Sequence, residues 1–200
     1  MTPDKTVAVA VLVSGNAAFW LAVLARTRAS ARHAQHERIV ARPRRTEFVL
    51  RLVVATNIAY YAVALAWLVH APLAGPLLWA PGVITTVAGA ALMLVALGLV
   101  GWSFVVFGSW RVRAEIAEGH ELMTAGPFRL GRHPIYAGII LLFASSFVLV
   151  PRVGFLLAAL ANAWSHDVRA RTEEEALIEA FGPRYRQYMA HTNRLLPGLY

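Results

Sequence analysis

Arg132, His133, Pro134 and Tyr136 stand together at the mouth of an apolar run, where they combine two cations, a helix-starting residue and an aromatic face. Proline suits the first position of a helix, because its missing N–H would have no partner there. A helix beginning at Pro134 aims the backbone donors that follow it back toward Arg132 and His133. A helix N-terminus beside such cations suits a carboxylate or a phosphate. Gly126-Pro127 and Gly131 give the preceding loop the tight turns needed to fold over a ligand. Phe128 and Tyr136 add ring faces that attract a cation. The plainer role for Arg132 and His133 is as interfacial anchors of an ordinary membrane helix.

A second cluster comes later in the chain. Asn162, His166, Arg169 and Glu173 fall at i, i+4, i+7 and i+11, which is one stripe of a continuous helix. An Arg169–Glu173 ion pair on a solvated face is the plain alternative. Asn162 and His166 carry the stripe up into apolar sequence, where polar residues are costly and point to function. Two polar clusters at the ends of adjacent apolar segments suggest a reaction centre at a membrane surface. Other chemistries lack their signatures. There is no G-x-G-x-x-G after a strand, no P-loop, no G-x-S-x-G and no H-E-x-x-H. With no cysteine, disulfides and thiolate metal sites are excluded. His33 and His36 form the one close histidine pair and read as loop residues, so no metal is expected.

The elements that must position these clusters are membrane helices. The 200 residues are 58% hydrophobic and 15% charged, outside the soluble-domain average. Apolar runs at 6–25, 48–69 and 82–107 can each cross a hydrocarbon core, which takes ~20 helical residues. Runs at 135–150 and 153–164 are shorter, are separated by Pro151-Arg152, and read as a tight helical hairpin. The expected fold is all-α, a polytopic membrane helical bundle of about five transmembrane segments. Gly82, Gly89, Gly98 and Gly101 point to close helix packing along the third segment. Past Trp164 the helical signal continues to Phe181, and Gly182-Pro183 then breaks it. The fifth helix therefore projects into the cytoplasm, and the tail folds back.

Charge sets the expected orientation. Seventeen arginines lie in the first loop, the segment after the third run and the tail, against Lys5 and Arg152 on the other side. The positive-inside rule puts the N-terminus outside and both clusters in the cytoplasm, most simply at a bacterial inner membrane. Ala29-Ser30-Ala31 looks like a signal cleavage site, but Arg26, Arg28 and the length of the apolar run favour a retained anchor. The net charge of +8 is then a topology signal. A nucleic-acid partner is not expected, because the basic first loop lacks interleaved aromatics.

At the two clusters the chain resembles the isoprenylcysteine carboxyl methyltransferase family, small integral-membrane enzymes related to phospholipid N-methyltransferases. The pattern H-x-L-V-T-x-G-P-Y-x-x-x-R-H-P-x-Y-x-G is met by His120, Leu122, Thr124, Gly126, Pro127, Arg132, His133, Pro134, Tyr136 and Gly138. Met123 replaces the valine and Phe128 the tyrosine, so a hydroxyl contact at Phe128 is lost. The pattern R-x-x-x-E-E-x-x-L, then F-G-x-x-Y-x-x-Y, is met by Arg169, Glu173, Glu174, Leu177, Phe181, Gly182, Tyr185 and Tyr188. The resemblance covers about 109–197, and the first three helices match only as hydrophobic spans.

The resemblance implies one membrane methyltransferase domain over 1–200, with three helices in 1–107 and the catalytic and cofactor-binding region in 108–200. It implies S-adenosylmethionine as cofactor, held without a Rossmann fold. The contacts would be His120, Leu122, Met123, Phe128, Arg132, His133, Pro134, Ile135 and Tyr136, with Glu173 and Glu174. Glu175 adds a third acidic residue and leaves open which glutamate faces the ligand. Arg169 and Glu173 would be the catalytic pair, and Arg169, His166 and Asn162 would hold the acceptor.

The acceptor implied is the carboxylate of an isoprenylcysteine-like molecule entering from the bilayer. Phospholipid or small-amine N-methylation is the alternative within the class. A non-catalytic membrane scaffold or transport subunit is the alternative outside it. A carboxylate needs no general base, whereas an amine would need Glu173, Glu174 or His166 to take its proton.

Overall fold

A computed structural model describes residues 3–33, 39–41, 45–107, 116–117, 122–195 and 198. The elements run α1 (Pro3–His33), β1 (Ile39–Ala41), α2 (Thr46–Val69), α3 (Val83–Val106), β2 (Ile116–Ala117), α4 (Pro134–Leu149), α5 (Val153–Phe181) and α6 (Pro183–His191). Short 3-10 turns fill Ala71–Ala74 and Gly126–Arg129. The result is an all-α membrane bundle with one small antiparallel ribbon, β1 on β2. The ribbon was not legible as strand in the sequence. It forms where the α1–α2 and α3–α4 connections meet at one end of the bundle.

Length and composition make three of the helices membrane spans: Lys5–Ser30 within α1, and the whole of α2 and α3. Ile58, Leu65, Ile84, Leu94 and Val105 face outward and exposed, as lipid contact requires. α3 packs chiefly on α4, and α2 on α5. Several polar groups inside the helices bond to one another, because lipid offers them no partner. Tyr60 Oη donates to Ser146 Oγ at 2.7 Å, Asn16 Nδ2 to Tyr60 Oη at 3.3 Å, and Tyr61 Oη to Asn16 Oδ1 at 2.9 Å. That chain ties α1, α2 and α4 together.

α4 has 16 residues, about 24 Å of helix, and turns sharply at Pro151 into α5. The turn docks on the α2–α3 loop. Leu78 N–H donates to Pro151 O at 2.9 Å, Val153 N–H to Pro76 O at 3.1 Å, and Arg152 Nη1 to Gly75 O at 2.6 Å. One end of the bundle thus gathers these two turns. The other gathers the ribbon, the start of α4 and the polar half of α5, as a returning hairpin demands.

The expected glycine seam is corrected. A Cβ on Gly89 would come 2.6 Å from Leu149, so α3 and α4 touch there. Gly82, Gly98 and Gly101 have no atom within 4 Å of that position. Residues advance about 100° each around a helix, so Gly98 faces away from the side Gly89 presents. The matching close contact comes from α4, where a Cβ on Gly138 would meet Val100 at 2.6 Å and Ala96 O at 3.1 Å.

Candidate active site

α5 runs without a break through 29 residues, so its polar half continues straight out of the apolar half. It ends at Gly182, whose φ of +52° favours glycine. α6 then reverses the chain, and 192–195 return to the start of α4. There His133 stands just before the helix and Pro134 occupies its first turn, as the sequence required.

Tyr136 is the centre of what these elements bring together. Its hydroxyl donates to Glu173 Oε1, and Arg169 Nε donates to the same oxygen at 3.1 Å. The Arg169 guanidinium carbon lies 5.0 Å from the centre of the Tyr136 ring. His133 stacks on Tyr136 at 5.5 Å with 6° between the planes. The His166 ring sits 5.6 Å from Tyr136, tilted by 60°. His133, Tyr136, His166, Arg169 and Glu173 thus form one cluster, built from the first turn of α4 and the middle of α5. The stripe on α5 is buried rather than solvated.

Glu174 lies about 100° around the helix from Glu173 and has a different environment. Its carboxylate accepts from Arg132 Nε at 2.8 Å and from Arg194 Nη2 at 2.9 Å. Burial pushes the Glu174 pKa up, but the nearby His133 ring and the bonds from Arg194 and Arg132 outweigh it and hold the carboxyl at about 2. The His133 ring bridges the two acids, with Nδ1 3.7 Å from Glu173 Oε2 and Nε2 3.4 Å from Glu174 Oε1. Nε2 is buried, and among the described residues it has no well-formed hydrogen bond. Glu173 keeps 17% of its side chain exposed against 5% for Glu174, so Glu173 is the accessible carboxylate of the two. Glu175 points outward.

Other expected residues sit farther out. Asn162 donates through Nδ2 to Thr56 O at 3.2 Å and Ala158 O at 3.1 Å, which ties α5 to α2 and keeps that amide out of the cluster. The Asn162 backbone carbonyl lies 2.9 Å from His166 Nδ1. A carbonyl only accepts, so Nδ1 carries the ring proton and Nε2 holds the lone pair. Phe128 packs edge-on against Phe107 at 5.5 Å, and its carbonyl accepts from Tyr188 Oη at 2.5 Å. Pro134 and Ile135 are buried in the first turn of α4, while Leu122 and Met123 are half-buried on the segment before Gly126. His120 lies outside the described residues.

Arg194 entered the sequence reading only as one of the positive charges of the tail, not as a site residue. No local signal beyond that charge, which stands just before Leu195-Leu196, marked it out.

The arrangement is a cation, an accessible carboxylate, two imidazoles and a phenol ring around a helix N-terminus. It can bind a zwitterion and orient an anion. Comparison with known proteins gives the family. Residues 84–184 match the family model described as phospholipid methyltransferase. A methanethiol S-methyltransferase of Pseudomonas deceptionensis is 33% identical over 72 residues, 36% of this chain and 27% of that protein. A protein-S-isoprenylcysteine O-methyltransferase of Dictyostelium discoideum is 29% identical over 124 residues, 62% of this chain and 51% of that protein. The cobalt-zinc-cadmium resistance protein CzcN of Cupriavidus metallidurans is 32% identical over 113 residues, 54% of this chain and 50% of that protein. The matched part of this chain spans about half the length of these relatives, or less. The family match contains both polar clusters and stops before the returning segment 192–195.

Proposed function

Because the chain belongs to the phospholipid methyltransferase family, we propose that it transfers a methyl group from S-adenosylmethionine to a lipophilic acceptor at the membrane surface. The observation that carries this reading is the accessible Glu173 carboxylate, held by Tyr136 and Arg169 beside His133 at the start of α4.

The residues fit such a donor. Glu173 suits an ammonium or a ribose hydroxyl, and the Tyr136 face suits a sulfonium. The first-turn N–H groups of α4 suit a carboxylate. His133 Nε2, buried without a well-formed bond, fits a ligand that supplies one. In this reading His120, Leu122, Met123, Phe128, Arg132, Pro134, Ile135 and Glu174 complete the surroundings. When bound, S-adenosylmethionine supplies an electrophilic methyl group.

The chain's own residues then have one main task, which is alignment. Arg169 is held over Tyr136 and oriented by Glu173, so its planar fork is set to fix a second carboxylate. A carboxylate acceptor is ionised at neutral pH and needs no base. That favours an isoprenylcysteine-like acid entering laterally from the bilayer. A second reading rests on His166, whose Nε2 lone pair is a proton acceptor for an amine or a thiol, although burial lowers its pKa and makes it a weak base. The similarity to a methanethiol S-methyltransferase gives the thiol its weight.

The test is transfer of labelled methyl from S-adenosylmethionine by detergent-purified protein. Three acceptors are compared: a farnesylated cysteine analogue, phosphatidylethanolamine and methanethiol. Label in the cysteine analogue supports the carboxylate reading. Label only in the amine or the thiol moves the assignment to that acceptor. No transfer and no donor binding leaves a membrane scaffold.

A further inference from the structure

We propose that the segment 192–195 is a positioning strap for the methyl donor, with Arg194 as its anchoring residue. The inference rests on the methyltransferase reading above, but concerns residues beyond the 84–184 family match.

The strap is fastened to the Arg132–His133 turn by backbone and side chain together. Arg132 N–H donates to Asn193 O at 2.9 Å and His133 N–H to Arg194 O at 3.0 Å. Arg132 Nη1 donates to Thr192 O, and to Met189 O at 3.3 Å. From the other side, a Cβ on Gly131 would stand 3.0 Å from Leu195 O, so the strap lies flat against the turn. Leu195 is buried in the core with 7% exposure.

Arg194 then locks this arrangement to α5. Its guanidinium meets Glu174 Oε2 at 2.9 Å and lies 3.5 Å from Asp167 Oδ1. Glu174 also binds Arg132, so one carboxylate joins the strap, the turn and α5. This use of Glu174 leaves Glu173, the residue before it, as the accessible acid of the cluster. It also fixes the height of His133, whose N–H is bonded to the strap and whose ring is stacked on Tyr136. A shift of the strap therefore moves His133 against Glu173 and Tyr136 without touching the residue proposed to hold the acceptor, Arg169.

Charged networks of this kind stabilise only when every member is paired, so the strap closes as a unit. Its role is thus visible as a selective loss of donor binding. The experiment measures S-adenosylmethionine affinity by calorimetry, with acceptor KM and thermal midpoint, for the wild type and for Arg194→Gln, Arg194→Lys and Gly131→Ala.

Arg194→Gln is expected to weaken the donor by about tenfold, the scale of loss when a binding group is misplaced. Acceptor KM is expected to change less than donor affinity, because Arg194 pairs with Glu174 and Asp167 and reaches Arg169 only through His133 and Tyr136. Arg194→Lys restores part of the loss by keeping the charge beside Glu174. Gly131→Ala perturbs the strap from its other face, leaves all charges in place, and should weaken the donor in the same direction. It stands in if Arg194→Gln does not fold.

Wild-type donor binding with unchanged affinity in Arg194→Gln, or in Gly131→Ala if Arg194→Gln fails to fold, overturns the strap and leaves the methyltransferase reading in place. Equal losses for donor and acceptor, with no rescue by lysine, also overturn it, since they mark a purely structural tie. No donor binding by the wild type overturns both.

Discussion

Arg169 and Tyr136 share a single carboxylate oxygen, Glu173 Oε1, while the guanidinium of the first lies 5.0 Å from the ring centre of the second. The two contacts together fix where the guanidinium sits. A guanidinium makes both at once, because it is a delocalised fork that stacks and donates in different directions. An ammonium is a compact charge and must choose between the ring and the carboxylate.

Arg169→Lys is therefore expected to keep donor affinity near wild type while cutting methyl transfer by more than about tenfold, on the order of 2 kcal/mol of transition-state positioning. Steady-state rates on the farnesylated cysteine analogue, beside calorimetry with the donor, separate the two. With a carboxylate acceptor the rate should be flat above about pH 6, since the acid is already ionised. A rate that climbs with pH, in an enzyme indifferent to Arg169→Lys, points to an amine.

Glu174 gives a prediction about stability. Its carboxyl sits at about 2 in the folded protein against an ordinary 4.5. The folded value is the lower one, so the stabilisation is fully present above about pH 4.5 and is lost as pH falls toward 2. Thermal midpoints of the wild type in detergent should fall through that window. Glu174→Gln should start lower at pH 7, by the ~3 kcal/mol that breaking a buried ion pair costs, and should lose much of the acid dependence. A variant that melts with the wild type at pH 7 would show that the Arg132–Glu174–Arg194 tie carries no net stability.

Tyr185 gives a contrasting case. The residue is buried at 1% exposure, and among the described residues its hydroxyl has no partner. Removing a polar atom that makes no bond is close to neutral. Tyr185→Phe should leave the melting midpoint and donor affinity unchanged to within about 0.5 kcal/mol. A clear loss of donor affinity would mean that the hydroxyl meets a ligand.

Much of this was legible in the sequence because the signals are local. Pro134 at a helix start, Pro151 at the hairpin turn and Gly182 at a helix end are each dictated by backbone geometry within a few residues. The stripe from Asn162 to Glu173 followed from helical periodicity. What was not legible depends on distance in the chain. No local pattern announces that Asn193 and Arg194 will accept from Arg132 and His133, some sixty positions earlier. The division between Glu173 and Glu174 depends on which side of α5 meets Arg194. Composition alone did not show that Asn162 would spend its amide on Thr56.

Orientation is tested separately from chemistry. Reporter fusions after Gly198 and within 31–35 should give the same cytoplasmic signal, as the arginine distribution requires. Opposite signals would break the five-segment arrangement.

The central claim is that the cluster around Glu173 binds the methyl donor, and calorimetry with S-adenosylmethionine on detergent-purified protein tests it most directly. The wild type should bind. Glu173→Gln should bind about ten- to a hundredfold more weakly, the ~1.5–3 kcal/mol of a lost charge-assisted hydrogen bond. Glu175→Gln, at an outward-facing position, should match the wild type. Unchanged affinity in Glu173→Gln, or no heat from the wild type at millimolar donor, would contradict the account.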